Sequence, residues 1–109
     1  MAIKKTEIDL QRYDNNTLQF TVASDIAEAT FVAEISPGKD VVRKSMSSSE
    51  DVTLVDSLLS VRVTPADLDD KDLPFSSLVR MSYSLITELA NGDIATAQTG
   101  IVRVWASPK

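Results

Sequence analysis

Apolar and polar residues take strict turns in Met81-Ser82-Tyr83-Ser84-Leu85 and again in Leu18-Gln19-Phe20-Thr21-Val22. A period of two belongs to a strand with one dry and one wet face, because successive side chains leave opposite sides of a sheet. A helix cannot bury that pattern, since its 3.6-residue period would scatter the same apolar residues around the axis.

The alternation recurs along the chain. Ile8 and Leu10 share a side, as do Ala29, Phe31, Ala33 and Ile35, then Leu59, Val61 and Val63. Val41 to Met46 and Val52 to Val55 read as further short strands, and Ser76 to Leu89 as a long one. In the last strand, Ile94 to Trp105, Val102 and Val104 fall on one side and Ile101, Arg103 and Trp105 on the other. Asp14-Asn15-Asn16 marks a turn that predicts an antiparallel pairing of the first two strands, and Ser36-Pro37-Gly38-Lys39 marks another. Asn91-Gly92 predicts a hairpin with positive φ at both central residues. Residues 47–51, Ser-Ser-Ser-Glu-Asp, read as a flexible polar connection. Ser24 to Ala29 would allow a helical turn, but the strand pattern from Thr30 to Ile35 outweighs it. Strands this short, with turn signals about every 8 to 12 residues, predict an all-β sandwich or small barrel.

The length of 109 residues suits one domain, residues 1–109, large enough for a core without disulfide or metal. There is no cysteine and no histidine, which removes thiolate nucleophiles, the commonest general base and the commonest transition-metal ligands. A formal charge of −5 repels a phosphate backbone, and the bases, among them Lys4, Lys5, Arg12, Lys39, Arg43 and Lys44, are dispersed as on a solvated surface. Nucleic acid is therefore not an expected partner. The opening Met1-Ala2-Ile3-Lys4-Lys5 shows no signal-peptide pattern and no apolar run is long enough to span a bilayer, so the expectation is no membrane and synthesis in a cytoplasm.

The most suggestive run is Thr64-Pro65-Ala66-Asp67-Leu68-Asp69-Asp70-Lys71-Asp72-Leu73-Pro74. As a calcium loop it fails: Lys71 takes a ligand position, no glycine makes the sharp turn, and Leu78 stands where a closing glutamate belongs. As a capped helical turn it succeeds, with Thr64 as N-cap, Pro65 as the first helical residue, Asp67 as the capping carboxylate, and Val63 with Leu68 as a hydrophobic staple. Asp72 before Leu73-Pro74 ends that turn.

No catalytic constellation emerges. Glu50-Asp51 and Asp69-Asp70 read as solvated charge, and an enzyme would require distant acids such as Glu34, Asp56 and Glu88 to converge. Tyr13, Tyr83 and Trp105 would allow a sugar-stacking platform, although alternation directs Phe20, Phe31 and Tyr83 into a core. Trp105, with Arg103 and Ile101 on the same side of its strand, is the candidate partner surface; no catalytic residue, metal or cofactor is expected.

The order of Val61-Arg62-Val63, Thr64-Pro65-Ala66-Asp67, Leu73-Pro74, Met81-Ser82-Tyr83-Ser84-Leu85, Asn91-Gly92 and Thr99-Gly100-Ile101-Val102-Arg103-Val104 resembles the N-terminal immunoglobulin-like module of phage baseplate upper proteins and related prophage tail proteins. The opening strands, through Leu18 to Val22, fit as well, so the resemblance covers residues 8–104. Ser76-Ser77-Leu78 departs from it, where that family often has a glycine. The resemblance implies an immunoglobulin-like antiparallel β-sandwich of about 7 strands with one short helical turn near residues 65–71. It also implies a non-enzymatic structural role in the virion tail, with other tail or baseplate proteins as partners and a homo-oligomer as one form of assembly. The competing expectation is a carbohydrate-binding or adhesin-like sandwich.

Overall fold

A computed structural model describes residues 4–36, 39–68 and 78–105. It contains β1 (Lys4–Gln11), β2 (Asn16–Thr21), β3 (Ile26–Ser36), β4 (Lys39–Ser45), β5 (Val52–Val55), β6 (Leu58–Val63), β7 (Leu78–Leu89) and β8 (Ile94–Trp105), and among the described residues no helix. One sheet has the order β1-β8-β7-β3-β4 and the other β2-β6-β5. β1 is added at the edge of the larger sheet, beside the last strand. The protein is thus an all-β, two-sheet sandwich.

The period-two residues fill the space between the sheets. Leu18 and Phe20 of β2 and their neighbours Leu59, Val61 and Val63 of β6 line one sheet, and Ala29, Phe31, Met81, Tyr83, Leu85, Val102 and Val104 line the other, all buried. The rings of Phe20, Phe31 and Tyr83 cluster with centroids 5.8 to 6.2 Å apart. Ala29 and Ala33 flank Phe31 on the same face of β3, and their small side chains leave volume for those rings.

Three expectations require correction. The first two strands do not form a hairpin: β1 pairs parallel with β8, while β2 pairs antiparallel with β6 in the other sheet. The chain can leave one sheet here because the side chain of Asn16 replaces a strand partner, accepting from the Gln11 backbone N–H at 3.1 Å and donating to its carbonyl at 2.9 Å. The Asn91-Gly92 loop is of a different type, since only Gly92, at φ 95°, takes a positive φ. Gly92 N–H donates to the Leu89 carbonyl and Leu89 N–H to that of Asp93, closing a three-residue loop with glycine at its left-handed position.

Thirdly, the turn after β6 is present over Pro65–Leu68 but is not a helix there, and residues 69–71 lie outside the described residues. The Asp67 carboxylate accepts from the Thr64 N–H at 2.8 Å, as a capping box requires, and Val63 and Leu68 are both fully buried.

A β-bulge at Ala97 places Gln98 opposite Leu85 while Thr96 opposes Ile86. The extra residue turns Gln98 inward, where its amide donates to the Tyr83 hydroxyl at 2.9 Å.

Candidate interaction surface

Ile101, Arg103 and Trp105 point away from the core on the outer face of β8, because Val102 and Val104 between them point in. Ile101 is 41% exposed, whereas Arg103 and Trp105 are half-buried. The parallel register sets Glu7 beside Ile101, Asp9 beside Arg103 and Gln11 beside Trp105. Asp9 is the centre of the arrangement. Its carboxylate accepts from Arg103 Nε at 2.8 Å and Nη2 at 3.1 Å, a two-point fork, and from the indole Nε1 of Trp105 at 3.0 Å. Glu7 adds a second acid, 3.2 Å from Arg103 Nη1.

These two acids also offset a like-charge contact, since Arg103 lies directly across from Arg80 on β7. With Arg103 and Asp9 each about one-third exposed, the pair adds little to global stability. Its effect is positional: the guanidinium and the indole are fixed before any partner arrives. Sequence reasoning found Ile101, Arg103 and Trp105 but missed Asp9, because nothing local to β1 announces a parallel neighbour more than ninety positions away.

A second cluster lies at the margin of the core. Lys44, 8% exposed, shares the inner face of β4 with Val42 and reaches Asp51 Oδ2 at 2.6 Å, Asp67 Oδ2, and the Arg62 carbonyl at 2.8 Å. Burial would lower its pKa, but the hydrogen bonds and charges of Asp51 and Asp67 outweigh that and raise it. Burial would likewise raise the Asp67 pKa, and Lys44 together with Thr64 reverses the direction. Lys44 and Arg12, 3% exposed, therefore correct the expectation that the bases form a solvated surface.

This cluster has a consequence for metal binding. The Asp67 carboxylate that began the calcium motif is committed to an ammonium and to Thr64. Among the described residues no group of three His, Cys, Asp or Glu is placed to hold a metal ion, and Asp69, Asp70 and Asp72 lie outside them.

The other candidates separate in space. Tyr83 is 1% exposed and belongs to the core, Tyr13 stands 63% exposed on the turn after β1, and Trp105 is on β8, so the three aromatics make no common platform. Glu88 pairs across from Glu28 and Glu34 from Ser82, six residues along β3 and so about 20 Å apart at the rise of a strand. Asp56 sits in the link between β5 and β6, in the opposite sheet, and these acids do not converge.

Residues 47–51 are tied down at several points. Ser48 and Ser49 N–H groups donate to the Ser45 carbonyl, Ser47 N–H to Glu28 Oε1 at 3.2 Å, and Asp51 holds Lys44. Burial opposes ionisation of Glu28, but the Ser47 side chain and the N–H groups of Ala29, Ser47 and Met46 bring its pKa below the usual value. The polar loop is thus stitched to β3 and β4.

The class defined by these features is an all-β sandwich presenting a preset arginine–tryptophan pair on one sheet face. No known family model and no curated protein matches the chain.

Proposed function

We propose that the chain is a non-enzymatic assembly module of a phage or prophage tail or baseplate, made in the bacterial host cytoplasm and acting in the virion through contacts with other tail or baseplate proteins. The observation that carries this reading is the line Ile101, Arg103 and Trp105 on the outer face of β8, with Asp9 holding the last two in place. Tryptophan and arginine are the residue types that most often dominate binding energy at protein interfaces, and prior ordering removes part of the entropy cost of docking. The tyrosine-bearing strand at Met81–Leu85, the turn at Thr64–Asp67 and the strand from Thr99 to Val104 support the family side of the proposal.

Trp105 is the single tryptophan, so its fluorescence reports this face alone. Mixing the protein with purified tail and baseplate subunits is expected to shift the emission to shorter wavelength and to slow amide exchange along β8. Trp105→Ala is expected to weaken that association at least about tenfold, the range of an interface hot spot. If no such subunit binds and glycans quench the indole instead, the module is a carbohydrate binder.

A further inference from the structure

We propose that the free edge of β2 is a two-fold contact between two copies of this chain. A sheet edge is a template for another strand, and folded proteins normally blunt it with charge, proline, bulges or short length. Among the described residues the sheets have four edges, and three of them are blunted. β1 carries the acids Glu7 and Asp9; β4 carries Lys39, Asp40, Arg43 and Lys44 and has register shifts against β3; β5 has only 4 residues. β2, Asn16-Thr17-Leu18-Gln19-Phe20-Thr21, has no charge and no proline, and its register with β6 is unbroken.

The open side of this strand can be assigned from its hydrogen bonds. Val22 N–H donates to the Ser57 carbonyl, on the β6 side, so the even-numbered residues turn their backbone groups toward β6. Thr17, Gln19 and Thr21 therefore turn theirs outward, and among the described residues no strand covers them. A cleft of about 350 Å³ opens beside them, lined by residues 17–21 together with Ile8 and Gln98, where the two sheets part.

The occupant follows from the symmetry of the strand itself. An isologous contact needs a surface complementary to its own copy. Read in either direction from Gln19, the order is apolar then threonine: Leu18 and Thr17 one way, Phe20 and Thr21 the other. An antiparallel copy with its axis at Gln19 pairs Gln19 with Gln19 and Thr17 with Thr21, matching every outward N–H with a carbonyl. Threonine pairs on the outer face and Leu18 with Phe20 on the cleft side are favourable cross-strand neighbours, and no like charges meet. The result is a continuous six-stranded sheet from two three-stranded ones. This contact is separate from the outer face of β8 and holds or fails independently of it.

One short strand is a small interface, so the expected dimer is weak and concentration-dependent. Light scattering coupled to size exclusion, from micromolar to millimolar protein, is expected to move from the 11.9 kDa monomer toward twice that mass. Gln19→Pro removes an outward N–H without touching the β6 ladder, and Gln19→Lys sets like charges across the axis; both are expected to remain monomeric with unchanged circular dichroism. Because the chain has no cysteine, Gln19→Cys is expected to yield an intermolecular disulfide on mild oxidation, and Thr53→Cys on β5 is not. A monomer at every concentration, or a dimer that survives both Gln19→Pro and Gln19→Lys, overturns the proposal. So does a monomer whose β2 amides become protected only when a tail protein is added, which assigns the edge to a different chain.

Discussion

Lys44 illustrates how a charge is kept inside a small sandwich. Its ammonium is removed from water but meets two carboxylates and one carbonyl. Deleting one member of such a group costs more than the group contributes, because the remaining charges stay desolvated. Lys44→Met is expected to lower stability by about 2–4 kcal/mol, somewhat reduced because Asp51 and Asp67 are partly exposed. Urea midpoints at neutral pH measure it. The pH dependence follows from the same contacts. Asp67 and Glu28 have depressed folded pKa values, so their contribution is present above the unfolded values of 3.8 and 4.5 and is lost as pH falls through the folded ones. Lys44 has a raised value, so its contribution is present below 10.5 and is lost as pH rises through the folded pKa. Stability is expected to be flat through neutral pH and to fall at both ends, and in Lys44→Met the alkaline fall is expected to flatten.

At the level of elements, alternation was sufficient for faces and insufficient for neighbours. Phe20, Phe31 and Tyr83 were legible as core residues because each sits at the apolar beat of a period-two run, a local property of the chain. The partner of β1 was not legible, because Ile8 and Leu10 specify which side is dry but not which strand lies alongside. Lys44 was legible in principle, since it falls on the same side of β4 as Val42, but a lysine among bases reads as surface unless its acids, Asp51 and Asp67, are known to be near. The surface site divides the same way: Ile101, Arg103 and Trp105 follow from alternation within β8, and Asp9 follows only from tertiary pairing. Asp9 is accordingly the residue to test for β1 docking. Asp9→Ala removes an acceptor shared by Arg103 and Trp105, and is expected to speed amide exchange along β1 and to shift Trp105 emission to longer wavelength, at a stability cost of about 1 kcal/mol.

For the whole molecule, the parallel pairing of β1 with β8 determines how a load passes through it. β1 begins beside Gln98 and ends beside Trp105, so Lys4 and Trp105 lie at opposite ends of the paired segment. Tension applied at those two residues pulls β1 and β8 past each other along their length, and the bonds of the 8-residue strand resist together instead of opening one after another. Optical-trap handles at Lys4 and Trp105 are expected to require several times the force of handles at Asp25 and Ile94, which peel strands from their ends; equal forces would rule out this loading geometry. A fold joined in this way behaves as a tension-bearing link, stiff along the line of the chain and compliant when pried from the side.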